Sequence, residues 1–167
     1  MNVITIERKV LAKNDIIAEQ NRDFLKSKKI FTINLVSSPG SGKTSLVEKT
    51  IKHFNGSVKI SVIEGDVQTD LDAKRVAEYK VPVVQIVTNG GCHLEANLVK
   101  DALSNIELKD TNLLIIENVG NLVCPAGYDL GEDLKAVVIS VTEGDDKPLK
   151  YPKMFANSEV LIINKID

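Results

Sequence analysis

The chain is short of cysteine, arginine and long apolar runs, and each shortage removes a class of function. Two cysteines in 167 residues, Cys92 and Cys124, cannot build a disulfide framework, so they are either buried fillers or working thiols. The arginines are Arg8, Arg22 and Arg75 alone, which leaves nothing for the Arg-rich lid of a nucleotide kinase. No apolar run reaches the roughly 20 residues that a membrane-spanning helix needs. The opening MNVITIERKV lacks the apolar core of a signal peptide. Cytoplasmic residence without a membrane partner is therefore expected. A formal net charge of −2 argues against a surface that coats nucleic acid. Internal repeats, low-complexity tracts and a Pro/Gly linker are missing as well, and the length suits one domain with a core of its own.

What is present is most informative between residues 30 and 46, which read IFTINLVSSPGSGKTSL. A β-branched apolar run stops at Ser37 and Ser38, and a helix-like stretch follows. This is the strand–loop–helix setting of a P-loop. Ser38, Pro39, Gly40, Ser41 and Gly42 can turn backbone N–H groups onto phosphate. Lys43 supplies a compact charge near the β- and γ-phosphates, Thr44 offers a hydroxyl to Mg²⁺, and Ser45 opens the helix. The full pattern asks for Gly where Ser37 stands.

The chain closes on a second apolar run followed by Asn164-Lys165-Ile166-Asp167. A carboxylate at Asp167 can accept from both N1–H and the 2-amino group of guanine. Adenine lacks that pair of donors and would leave the acceptors unpaired, so GTP is favoured over ATP. Asn164 would bridge the base to the P-loop, and the stem of Lys165 would cover the ring face.

Between these motifs, apolar runs at 58–63, 81–87, 113–116, 136–141 and 160–163 alternate with helical or mixed segments at 45–54, 70–80, 94–105 and 147–157. Continuous apolar strands alternating with helices predict an α/β fold: a mostly parallel sheet with helices on both faces. Ligands of such sheets sit at the C-terminal strand ends. His53, in the last turn of the 45–54 helix, is explained by favourable charge at a helix C-terminus. Residues 1–28 precede this domain, and about 5–28 read as one polar helix with Ile6, Val10, Ile17 and Phe24 in a seven-residue stripe. Such stripes usually bury against their own domain, here residues 29–167; docking a partner protein is the alternative.

Two further strand ends carry chemistry. The 58–63 run leads into Glu64-Gly65-Asp66-Val67-Gln68-Thr69-Asp70. Asp66 is placed to join the Mg²⁺ shell and Asp70 to orient the attacking water. A solvated turn, with Asp70 capping the next helix, is the plainer alternative. The 113–116 run ends in Glu117-Asn118-Val119-Gly120, where the acid would address Mg²⁺ and the Gly120 N–H the γ-phosphate. Cys92 and His93 stand at the start of the 94–105 helix, whose N-terminus would depress the thiol pKa. Cys124 lies four residues beyond Gly120, in the loop expected to move with the γ-phosphate. Two thiolates and an imidazole suit Zn²⁺ or Ni²⁺, with a fourth ligand from water or a second protomer. With no Arg near the P-loop in sequence, slow hydrolysis is expected.

Taken together, SSPGSGKT, EGDVQTDLDA, Gly91-Cys92-His93-Leu94, ENVGNLVCPAGYDLG and EGDDKPLKYP resemble the HypB family of hydrogenase nickel-incorporation GTPases, from about residue 10 to the end. The resemblance implies an accessory GTPase that delivers nickel to [NiFe] hydrogenase large-subunit precursors, with a HypA-like metallochaperone as partner. It also implies a homodimer in the GTP state and a metal site between protomers, matched here by Cys92, His93 and Cys124. Ser37 fits family members. Two departures stand out. The Cys- or His-rich N-terminal storage segment of some members is missing, and the chain stops where the family continues with a second guanine loop and a final helix. The urease nickel GTPases are the nearest alternative, but their Cys-Pro-His motif is not met: Ala126 follows Cys124-Pro125. A non-catalytic metal-carrying module is the reading from another class.

Overall fold

The apolar runs pair into one sheet. In the computed structural model, which describes residues 6–167 and side chains from residue 10 onward, there are six strands. They are β1 (Phe31–Ser37), β2 (Ile60–Asp66), β3 (Val83–Val87), β4 (Leu113–Glu117), β5 (Leu134–Ser140) and β6 (Val160–Asn164). Their order is β3-β2-β4-β1-β5-β6 and every pairing is parallel. The helices are α1 (Ile6–Ser27), α2 (Lys43–Phe54), α3 (Leu71–Ala77), α4 (Ala96–Asn105), α5 (Lys147–Lys150) and α6 (Pro152–Ala156). A parallel sheet must be covered on both faces, and neighbouring residues of one strand divide accordingly. On β4, Ile116 packs with Leu94, Val99, Leu103 and Leu25 beneath α4 and α1. Ile115 turns the other way, toward Val47, Ile51 and Val76 of α2 and α3. No helix among the described residues is long and apolar enough to cross a membrane.

Several expected boundaries move, each for a local reason. β2 runs on to Asp66 because Glu64, Gly65 and Asp66 stay in register with Gln85, Ile86 and Val87. β3 begins at Val83, since Pro82 has no N–H to give and instead accepts from Val62. The 147–157 segment is two short helices, with Pro152 opening the second. β6 was expected to be buried, but it is an edge strand. Leu161 and Ile163 are about half exposed at 47% and 54%, because β5 is its one strand partner.

The stripe expected on the first helix is also displaced. Position 5 lies outside the described residues, as does the side chain of Ile6. Val10 and Phe24 are exposed, whereas Asn14, Ala18, Asn21 and Leu25 are buried. The helix does pack on its own domain, but through two asparagines. Asn14 Oδ1 accepts the Ala96 N–H at 2.8 Å and its Nδ2 donates to the Asp129 carbonyl at 2.7 Å. Asn21 donates to the Ala96 and Leu130 carbonyls at 2.8 and 3.0 Å. Arg22 adds an ion pair to Asp129.

Candidate nucleotide and metal sites

β1 delivers the chain to the start of α2 through a loop in which Gly40 and Gly42 take φ of +77° and +96°. A side chain at Gly42 would also strike the Asn164 amide, so glycine is required there twice over. Lys43 is 8% exposed, and its ammonium donates to Ser37 Oγ at 2.7 Å. Burial pulls the Lys43 pKa down, while Glu117 and Glu64 work against that. Thr44 Oγ1 donates to Glu117 Oε1 at 2.8 Å, and Glu117 Oε2 is buried without a hydrogen-bond partner. A hydroxyl and an unpaired carboxylate oxygen side by side at a phosphate loop are a donor set that fits Mg²⁺.

Glu64 was expected in a turn, but it is a β2 residue that stands opposite Glu117 in the ladder and is 2% exposed. Burial first, then the neighbouring Glu117 carboxylate, pushes it up to about 10. Its carboxyl therefore holds a proton far more tightly than an ordinary glutamate. The apolar pattern ended before Glu64 and gave no sign of a buried acid. Burial likewise raises Glu117, with Lys43 opposing.

Lys43, Thr44, Asp66, Glu117 and Gly120 line one cavity of about 480 Å³ together with Pro39, Gly40, Gly42 and Ser45. Asp66 folds its carboxylate over the turn that follows, accepting from the Gln68 and Thr69 N–H groups at 2.9 and 2.8 Å. Burial works against ionisation there, but those N–H groups hold Asp66 below the usual range. Asp70 does not line that cavity; it sits exposed at the start of α3, paired with Lys74 at 2.8 Å, the placement of the plainer alternative. Asp72 and Arg75, one turn further along α3, do line the cavity. No Arg lies near the P-loop in sequence, but thirty residues of chain fold back to bring Arg75 beside Ser45.

At the base end, Asn164 donates to the Ser41 carbonyl at 2.9 Å, which ties β6 to the P-loop. Lys165 takes a φ of +55° and reaches the Gly40 carbonyl at 2.7 Å. Asp167 is exposed two residues on. Gly120 closes the other end: an added Cβ would sit 3.0 Å from Pro39 Cα and 3.1 Å from Pro39 N. The loop after β4 therefore rests directly on the phosphate loop.

The same loop leads to the thiols. Cys124 opens a 3-10 turn, Cys124–Gly127, and its Sγ lies 2.7 Å from Cys92 Sγ. His93 Nδ1 lies 3.6 Å from Cys92 Sγ, and the three ligand atoms are all within 4.8 Å of one another. Cys92 does not stand at the start of a helix as expected. α4 begins at Ala96, because Asn118 Oδ1 takes the Leu94 N–H at 3.1 Å and Asn14 the Ala96 N–H. The Cys92 contact, then burial, raises the Cys124 thiol. Burial keeps His93 below its usual value despite Glu95, so the imidazole is neutral and able to ligate, with its ring against Tyr128 at 4.1 Å. Two thiolates about 2.3 Å from a tetrahedral ion stand about 3.8 Å apart, and both thiols would give up their protons to an entering metal.

Asn118 joins the two regions. It is 1% exposed. One residue before it, Glu117 meets Thr44; two residues after it, Gly120 meets Pro39. Its own amide holds the backbone next to His93 and donates to Asn34 Oδ1 at 3.3 Å.

Residues 31–167 match the family model described as CobW/HypB/UreG, nucleotide-binding domain. The hydrogenase maturation factor HypB of Rhizobium leguminosarum bv. viciae is 52% identical over 165 residues, which is 99% of this chain and 55% of that protein. This chain thus spans about half the length of that curated relative. The crystal structure of HypB from Helicobacter pylori in complex with nickel superposes with a TM-score of 0.85 at 43% identity, covering 90% of this chain and 71% of that one. The hydrogenase maturation factor HypB from Archaeoglobus fulgidus superposes equally well, at 41% identity over 93% of this chain and 75% of its own.

Proposed function

This chain belongs to the HypB hydrogenase maturation factors of the CobW/HypB/UreG nucleotide-binding family, and from that premise we propose that it binds and hydrolyses GTP to govern the delivery of nickel to a [NiFe] hydrogenase. The observation that carries this reading is the single loop 117–124. It begins at the Thr44–Glu117 contact, passes Gly120 against Pro39, and ends at Cys124 beside Cys92 and His93. A γ-phosphate that displaces Gly120 moves one thiol relative to the other two ligands, and linkage then requires metal to alter nucleotide binding in return.

Lys43 neutralises charge on the β- and γ-phosphates, and the Gly120 N–H marks the third phosphate. Thr44, Glu117 and Asp66 would hold Mg²⁺, which supplies further charge neutralisation. Asn164, Lys165 and Asp167 select guanine. Cys92, His93 and Cys124 take the cargo ion, Ni²⁺ or Zn²⁺, and a second protomer of a GTP-bound homodimer completes the ligand set. A HypA-like metallochaperone and the hydrogenase large-subunit precursor are the partners this reading assigns. Slow turnover in the isolated chain is part of this reading.

Titration of nickel into the protein loaded with GDP, and then with a non-hydrolysable GTP analogue, tests the coupling. Affinities differing by roughly fivefold to a hundredfold are expected, with Cys124→Ala abolishing the difference. Equal affinity, stoichiometry and oligomeric state in both forms would instead make the protein a passive carrier. Phosphate release should vanish in Lys43→Ala.

A further inference from the structure

We propose that Arg75 is a second cationic clamp on the nucleotide, gripping the phosphates that GDP and GTP share, and that Glu48 holds it in reserve while the site is empty. The proposal rests on the nucleotide reading above. Arg75 projects from α3 toward the start of α2, where its Nη2 lies 3.4 Å from Ser45 Oγ. Ser45 follows Thr44 at the head of that helix, where free backbone N–H groups gather an anion. Arg75 lines the same cavity as Lys43 and Gly40.

Its present partner is replaceable. Nε and Nη2 fork onto Glu48 at 3.1 and 2.9 Å, and Nη1 reaches Asp72 at 3.1 Å. The Arg75 side chain is 46% exposed, so solvent screens its attraction to Glu48. A polyphosphate offers more charge to the same planar fork, and the two sites share the Ser45 edge, so the guanidinium can exchange partners without moving α3. Its hydrogen bonds are all to residues of α2 and α3, with Ser45 at the head of α2, which is why the grip falls on the phosphates common to both nucleotides. The other described arginine, Arg22, is committed to Asp129 on α1's flank.

Opposite signs distinguish this from a plain strut between two helices. With Mg²⁺ present, fluorescent GDP and a non-hydrolysable GTP analogue are titrated into the wild-type chain, Arg75→Ala, Arg75→Lys, Glu48→Gln and Lys43→Ala. Arg75→Ala should weaken both nucleotides roughly tenfold or more, the loss of charged hydrogen bonds. Arg75→Lys should recover part of this, and Glu48→Gln should tighten both. Nucleotide-free melting temperatures monitor folding, and Arg75→Lys stands in if the alanine variant melts early. Wild-type affinity in Arg75→Ala overturns the clamp, as does a parallel loss in Arg75→Ala and Glu48→Gln, the mark of a structural ion pair. A loss confined to the GTP analogue also overturns it. Lys43→Ala separates the two levels: wild-type binding there removes the nucleotide reading itself, whereas its loss beside an unaffected Arg75→Ala removes only the clamp.

Discussion

The ammonium of Lys43 donates to the hydroxyl of Ser37 at 2.7 Å, so the residue that breaks the full P-loop pattern is the one that restrains its lysine. Ser37 is fully buried and supplies an acceptor that glycine has no atom to provide. The serine thus keeps Lys43 extended across the loop before any phosphate arrives, which lowers the ordering needed on binding.

Ser37→Ala should therefore destabilise the nucleotide-free protein by about 1–3 kcal/mol, the cost of an unpaired buried donor. The deficit should shrink when GDP supplies a new partner for the ammonium. Urea unfolding with and without GDP makes the comparison; an equal deficit in both states would place the effect elsewhere.

At Gly120 an added methyl group would press on Pro39, which would have to give way by a few tenths of an ångström. Gly120→Ala should push the loop off the phosphate loop, cutting hydrolysis strongly while GDP affinity stays near wild type. Single-turnover phosphate release beside GDP titration separates the two effects, and normal turnover would show that the loop does not need this contact.

Recognition of the base is open to a specificity swap. Asp167→Asn should lose about 2–3 kcal/mol of GTP affinity, a mismatched charged hydrogen-bond site, and gain affinity for xanthosine triphosphate, whose 2-oxygen accepts from the amide. Unchanged GTP binding would mean that the exposed Asp167 does not read guanine in this chain.

The α1 ion pair gives a pH dependence. Burial opposes ionisation of Asp129, but Arg22 Nη2, 2.8 and 2.6 Å from its two oxygens, and the Gly131 N–H hold it below the ordinary carboxylate range. A depressed carboxylate contributes stability that is complete above its unfolded value, about pH 4, and is lost as pH falls through the lower folded value. Melting temperatures of the wild type and Arg22→Gln should differ by a constant amount from about pH 5 to pH 8 and converge below about pH 4. A gap that persists into acid would assign the effect to packing of the Arg22 stem.

The sheet was legible because β-branched runs mark strands buried on two faces, and the phosphate loop because glycine and lysine spacing follows from the ligand. Less visible were features that depend on distant chain or on polar burial. Arg75 meets Ser45 across thirty residues, and no local pattern announces that contact. Glu64 ends an apolar run and looks like a turn, yet pairing with Gln85 and Glu117 keeps it inside the sheet. The stripe of the first helix was misplaced because hydropathy counts Asn14 and Asn21 as solvent-facing, whereas both are buried. Conversely, β6 is as apolar as a central strand and lies at the edge.

Asn14 and Asn21 have a consequence for heredity. Every partner of their amides is a main-chain atom, of Ala96, Asp129 or Leu130, and main-chain atoms survive mutation of the side chains they carry. Substitutions at Ala96 and Leu130 can therefore leave these four hydrogen bonds intact, provided the backbone keeps its path, whereas Asp129 is also tied to Arg22 through its side chain. The reverse does not hold: either asparagine, once changed, strands buried groups that no single compensating mutation in α4 can satisfy. Divergence between related chains should thus fall unevenly across these hydrogen bonds, freer at Ala96 and Leu130, which are read through the main chain, and frozen at the two positions that read them.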